Sequence, residues 1–228
     1  MKKTKLFLWC FTIILFIELI VVSNPTWYLY RIFTKPLIVG SLLVFFLIQK
    51  VDKKTKVFVS LALVSTLIGD IQLIYASDLE FLFLGGLIAF LISLMFYILE
   101  FSRSRDKSIN FIFPSLILSL YAGTLFWYLH DYLDGLTIPV AIYMITAGMM
   151  ILFAYLRHDD MFHNGYIYIL TGALLLMLSA SIVAITRFKS DIMYSDVLVM
   201  GIHGIAQLCL VMGVLMSDPI YRKQKSLS

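Results

Sequence analysis

The stretch LALVSTLIGDIQLIY, residues 61–75, decides how the chain is read. Its apolar residues point to all sides of a helix, so the helix has hydrocarbon or packed neighbours all round it. Yet it carries Gly69 followed by Asp70, and a carboxylate in hydrocarbon is costly. The rest of the chain has the same character. It is 61% hydrophobic and 14% charged, with a mean hydropathy of +0.94, whereas soluble domains are typically under half apolar.

Spanning a bilayer takes about 20 mostly apolar residues. Eight segments meet that requirement: 6–23, 34–50, 57–75, 81–100, 109–129, 137–156, 165–186 and 195–216. The polar residues fall into the short connections DKKTK, ASDLE, SRSRDK, HDYLDG, RHDDMFHN and RFKSDIMYS. None of these could separate two domains, so residues 1–228 read as one all-α, polytopic bundle of transmembrane helices. The N-terminal MKKTKLFLWCFTIILFIELIVV resembles a signal peptide, but its apolar run is long, holds Glu18 and precedes no A-x-A site. A retained first helix is expected.

Lysine and arginine set the orientation. Of the 18 basic residues, Arg31, Lys35, Arg187 and Lys189 fall on one side and all the others on the opposite side. The richer side is expected to be cytoplasmic and to hold both termini; in a bacterium the membrane would be the plasma membrane. The net charge of +4 is explained by this topology and gives no sign of a nucleic-acid partner. Cys10 and Cys209 lie in apolar runs without metal-ligand spacing, and neither a metal nor a cofactor is expected. There is no phosphate-cradling glycine loop, zinc-type histidine pair or G-x-S-x-G elbow.

Depth then arranges the polar residues. At 1.5 Å per residue, Asp70 lies roughly 9 Å below the outer end of the third span. Glu18 reaches a similar depth in the first span, and Tyr143 in the sixth. Ser179 and Ser181 do so in the seventh, and His203 in the eighth, with Gln207 a turn deeper. Lys35 opens the second span from outside. Ionisable residues within a membrane usually face the bundle interior and mark a site. Plainer readings stand beside this one. Lys35 next to Pro36 suits a helix start at the interface, Glu18 could pair with Lys35, and His203 could bond a carbonyl. Gln207, Tyr143 and the serines suit interhelical hydrogen bonds. Gly85, Ala89 and Ser93, with Ser65 and Gly69, suit close helix packing.

These blocks resemble the YhhN family of eight-span membrane proteins, which includes the lysoplasmalogenases. The resemblance rests on Lys35-Pro36, SLALVSTLIGDIQLIY, FLFLGGLIAFLISLMFY, IPVAIY at 138–143, GALLLMLS at 172–179 with Arg187-Phe188, and HGIAQ at 203–207. Two positions depart from the family pattern. Leu94 stands where the family has a histidine. Ala180 follows Ser179 where the family has a second aspartate.

The resemblance implies hydrolysis of the vinyl ether of a lysoplasmalogen to a fatty aldehyde and a glycerophospho-base. The partners it implies are a lysophospholipid-like amphiphile and membrane lipids. Such chemistry needs an acid to protonate carbon and a second group to steady the cation or activate water. Asp70 is the expected acid. Glu18 is the first candidate for the second group on depth, Asp196 the next, and His203 a candidate base. Lys35, Tyr143, Ser179 and Gln207 are expected to bind substrate, Lys35 through the phosphate. The alternative is a non-catalytic relative that binds or moves a lipid-like amphiphile. An ion relay is disfavoured because the inner half of the bundle reads as nearly all apolar. Oligomeric state is not readable from the sequence.

Overall fold

The computed structural model describes residues 2–76, 79–106, 108–157 and 163–226. Among these the regular structure is helical throughout: α1 (Lys2–Ser23), α2 (Arg31–Leu47), α3 (Lys53–Ile74), α4 (Glu80–Ser102), α5 (Ile112–Leu129), α6 (Thr137–Tyr155), α7 (His163–Phe188), α8 (Ser195–Ser217) and the short α9 (Pro219–Ser226). Eight of these elements are long and apolar enough to cross a membrane. The protein is therefore an integral multi-pass helix bundle. Eight crossings bring both chain ends to one face, called here the terminal face; the other is the distal face. Lys107 and parts of ASDLE and RHDDMFHN, which entered the charge bias and loop assignments, lie outside the described residues.

The helices start where side chains can satisfy their free amides. Asp52 caps α3, its Oδ2 accepting from the amides of Lys54 at 3.1 Å and Thr55 at 3.4 Å. That cap starts the helix four residues before the apolar run does, because hydropathy reports the apolar run and not the helix. The second span is corrected in the same way. Asn24 accepts from the Thr26 amide at 3.1 Å and caps a 3₁₀ turn over Pro25–Tyr30, which leads directly into α2 at Arg31. Lys35-Pro36 is thus not a helix start. Pro36 lies inside α2, and Lys35 is carried a full turn into the bundle.

Water does not drive helices together in lipid, so close approach and side-chain packing must. The two most extensive contacts are α7 with α8 and α3 with α4. Between α3 and α4, Gly69, Gly85 and Ser93 lie at the contact. A Cβ on Gly69 would come within 2.9 Å of the Phe90 ring, and one on Gly85 within 2.9 Å of Gln72 Nε2. Ser93 Oγ meets Thr66 Oγ1 at 2.8 Å. The α7–α8 seam is tighter still. A Cβ on Gly172 would come 2.9 Å from Ala206 O and Leu210 N, and one on Gly213 2.7 Å from Ile169 N. α8 is the most buried span and α5 the least. Large apolar side chains such as Trp9, Phe16, Phe113 and Trp127 point outward, as a lipid-facing surface requires.

The main apolar core fills the terminal half. It includes Leu42 and Phe46 from α2, Leu63 from α3, Tyr97 and Phe101 from α4, Met150 from α6, and Leu210 and Val214 from α8. A smaller cluster, Leu129, Leu133 and Val140, closes the distal end between α5 and α6. Between the two lies a cavity.

The terminal half is not uniformly apolar, contrary to the sequence expectation. Glu100 is buried at the end of α4, accepting from Thr55 Oγ1 at 3.0 Å and Arg103 Nη1 at 2.9 Å, with Arg157 Nη1 3.9 Å away. Arg103 Nη2 also donates to Asp52 Oδ2 at 2.7 Å. Asp218 Oδ2 accepts from the Asp52 amide at 3.0 Å. This network ties the α2–α3 connection, α4, the end of α6 and the α8–α9 junction together. Hydropathy averaging hid it, because Glu100 is one acid in an otherwise apolar span.

Candidate functional site

The distal half of the bundle encloses a cavity of about 110 Å³, lined by seven of the eight spans. α1 does not contribute. Most of the wall is apolar, including Leu73, Leu87, Leu125, Met144 and Met177. The polar atoms come from few residues: Lys35 on α2, Asp70 on α3, Tyr121 on α5, Tyr143 on α6, Ser179 and Ser181 on α7, and His203 on α8. An apolar pocket with a few convergent polar groups is the usual form of a small-molecule site.

Asp70 is the centre of these groups and is only 3% exposed. Lys35 Nζ lies 3.9 Å from Oδ1, and His203 Nε2 lies 3.6 Å from Oδ2. Both distances suit ion pairing and are too long for good hydrogen bonds. Asp70 Oδ2 and His203 Nε2 are both buried and have no hydrogen-bond partner among the described residues. Packing fixes this geometry. The Phe90 ring meets the His203 ring edge-on at 5.9 Å between centroids. It can sit there because Gly69, directly before Asp70, has no side chain to displace it.

Of the residues expected from sequence, the structure brings Asp70, Lys35, His203, Tyr143 and Ser179 to one cavity. Ser179 Oγ donates to the Val199 carbonyl at 3.2 Å, which joins α7 to α8 at the wall. Ser181 Oγ meets Tyr121 Oη at 2.8 Å. Ala180, between the two serines, is itself part of the lining, so an acid there would face the same space as Asp70.

Three expected residues are placed elsewhere. Glu18 is fully buried on α1, outside the lining. Its carboxylate accepts a hydrogen bond from Thr34 and lies 3.6 Å from Arg31 Nε. Its ionic partner is thus Arg31 and not Lys35, and it is already engaged rather than facing Asp70. Asp196 lies 3.6 Å from Arg31 Nη1, with its side chain largely exposed. Gln207 accepts from Tyr97 Oη at 3.0 Å below the cavity and joins α4 to α8. Lys35 is buried against Asp70.

Arg31, Tyr121 and Phe90 were not singled out from sequence. Arg31 had a readable signal, since it precedes Lys35 by four residues and so lies above it on the same helix face. Tyr121 had none, because it is one aromatic in a span otherwise exposed to lipid. Among the described residues no group of three or more His, Cys, Asp or Glu could hold a metal ion. The model of the YhhN family matches residues 30–214. No curated protein and no solved structure matches the chain.

Proposed function

The chain belongs to the YhhN family, and on that premise we propose that it is a lysoplasmalogenase-like hydrolase acting on a single-chain vinyl-ether lipid within the distal half of the membrane, on the non-cytoplasmic side. The observation that carries this reading is the Asp70–His203 pair, 3.6 Å apart, set in an apolar cavity. The pair supplies a proton to the vinyl carbon distal to the ether oxygen. The resulting oxocarbenium ion is steadied by the nearby carboxylate, since charge interactions are strong in a low-dielectric site. His203 or Asp70 then takes a proton from water as the water adds to the cation. The hemiacetal collapses to a fatty aldehyde and the free glyceryl hydroxyl, with one water consumed overall. In this account His203 does the work that a second aspartate at position 180 would do.

The alkyl chain lies along Leu73, Leu87 and Leu125. Phe83 and Phe188, edge to face at 5.6 Å, stand at the distal end of the cavity. The exposed Arg187 guanidinium sits 5.2 Å from the Phe83 ring centroid and is placed to meet the phosphate. A second reading, a non-catalytic lipid binder, is favoured by one observation: Ala180 gives the cavity wall no second carboxylate.

The reaction tests itself in heavy water. Purified protein given a lysoplasmalogen in D₂O should release an aldehyde carrying one deuterium on the carbon next to the carbonyl, read by mass spectrometry. Release without deuterium rules out protonation at carbon. No release from any lysoplasmalogen leaves the lipid-binding reading.

A further inference from the structure

Lys35 has no step in the proposed hydrolysis, yet it is the one amine among the residues lining the cavity. It is 5% exposed and lines the cavity wall. Its only ionic or hydrogen-bonding partner among the described residues is Asp70, at 3.9 Å. Glu18, the other buried acid nearby, is held by Arg31 and Thr34. A lysine amine desolvated in an apolar pocket is the usual nucleophile toward carbonyl compounds. Passing the ammonium proton to Asp70 replaces two buried charges with two neutral groups, which a low-dielectric site favours, and it frees the amine lone pair.

We propose that Lys35 is a covalent site for long-chain aldehydes, forming a reversible imine in the cavity with Asp70 as its counter-ion. The inference rests on the reading that this cavity holds an alkyl chain whose cleavage leaves an aldehyde. The amine adds to the carbonyl carbon, forming a C–N bond. A proton moves from nitrogen to the carbonyl oxygen. Asp70 returns the proton it took from the ammonium to that hydroxyl, which leaves as water; the C–O bond breaks and a protonated imine is left facing the carboxylate. One ammonium and one aldehyde become one iminium and one water, so a cation faces Asp70 before and after the exchange and is absent only while Asp70 holds the proton. Addition of water reverses the sequence and releases the aldehyde. No oxidant or reductant is needed. The site would hold the aldehyde against diffusion into lipid until it is passed on.

Supplying the aldehyde directly separates this step from the hydrolysis. The full-length protein in detergent is incubated with hexadecanal and sodium cyanoborohydride, which reduces imines to stable amines, and is then mapped by peptide mass spectrometry. The expected result is a hexadecyl adduct on Lys35. It should form at least about tenfold faster than the butyl adduct from butanal, since each buried methylene adds binding. Asp70→Asn should slow the labelling, and Lys35→Arg should carry no adduct at that position. The chain-length comparison needs only the wild-type protein, so a variant that misfolds does not rescue the idea. Labelling confined to connection lysines such as Lys53 and Lys54, or equal rates for the two aldehydes at Lys35, overturns it. Turnover of lysoplasmalogen is measured on the same preparation. Turnover without the Lys35 adduct sinks the imine and leaves the hydrolase standing; the adduct without turnover upholds the aldehyde site and removes the hydrolase.

Discussion

Glu18 and Asp70 are both acids buried in the distal half of the bundle, and depth alone made them equivalent. Their partners separate them. Glu18 is held by Arg31 and Thr34 and lies outside the cavity lining, while Asp70 lines the cavity beside Lys35 and His203. Removing one partner of a buried ion pair leaves the other charge uncompensated. Glu18→Gln should therefore destabilise the protein, by on the order of 3 kcal/mol, because Arg31 then keeps only the exposed Asp196. Turnover per folded molecule should remain. Thermal unfolding in detergent beside a rate assay checks both halves; a stable but inactive variant would return Glu18 to the chemistry. The sequence showed which residues were too costly to be incidental. It could not show which way each one turned, because that depends on Arg31 lying one helical turn above Lys35 on a helix that starts earlier than hydropathy suggests.

Helix pairs carry the next level of the account. The small-residue stripes were legible because Gly85, Ala89 and Ser93 recur four apart within α4, as Ser65 and Gly69 do within α3. The tighter α7–α8 seam was not, because Gly165, Gly172 and Gly213 lie on two different spans and only the packed pair brings them together. Gly172→Ala places a methyl against the backbone at Ala206 and Leu210, which has no flexible end to move aside. That substitution should cost on the order of 1–3 kcal/mol. Gly148→Ala, with nothing within 4 Å, should be neutral or slightly stabilising through helix propensity. Equal unfolding temperatures for the two variants would contradict the seam. At the terminal face, the Arg103 guanidinium holds the Asp52 carboxyl below its usual range. A lowered pKa in the folded state stabilises at pH above the ordinary aspartate value of 3.8 and fades as pH falls through the folded value. Asp52→Asn should thus be less stable than wild type at neutral pH, with the gap narrowing below about pH 4. The effect should stay within about 1 kcal/mol because the pair is partly exposed. Glu100 and Asp218 share this network, so a gap that widens in acid would place the dominant charge on one of them.

Taken whole, the molecule divides its work between two halves. The terminal half is close-packed around Leu42, Phe46, Tyr97 and Leu210 and is tied by the Glu100 network; the distal half keeps a cavity with Asp70 at its centre. The eight spans were legible because length and apolarity set them almost alone. The convergence of Lys35, Tyr143, Ser179 and His203 on Asp70 was legible as shared depth. The cavity itself was not, since a void belongs to the packing of seven helices and to no stretch of sequence. The account's central claim is that Asp70 in this cavity performs acid–base chemistry on a vinyl ether. Aldehyde release from lysoplasmalogen, compared between wild type and Asp70→Asn at equal amounts of folded, membrane-inserted protein, tests it most directly. The account predicts release by the wild type and a fall of about a thousandfold in the variant, since asparagine keeps the shape but exchanges no proton. Undiminished release by Asp70→Asn would contradict it.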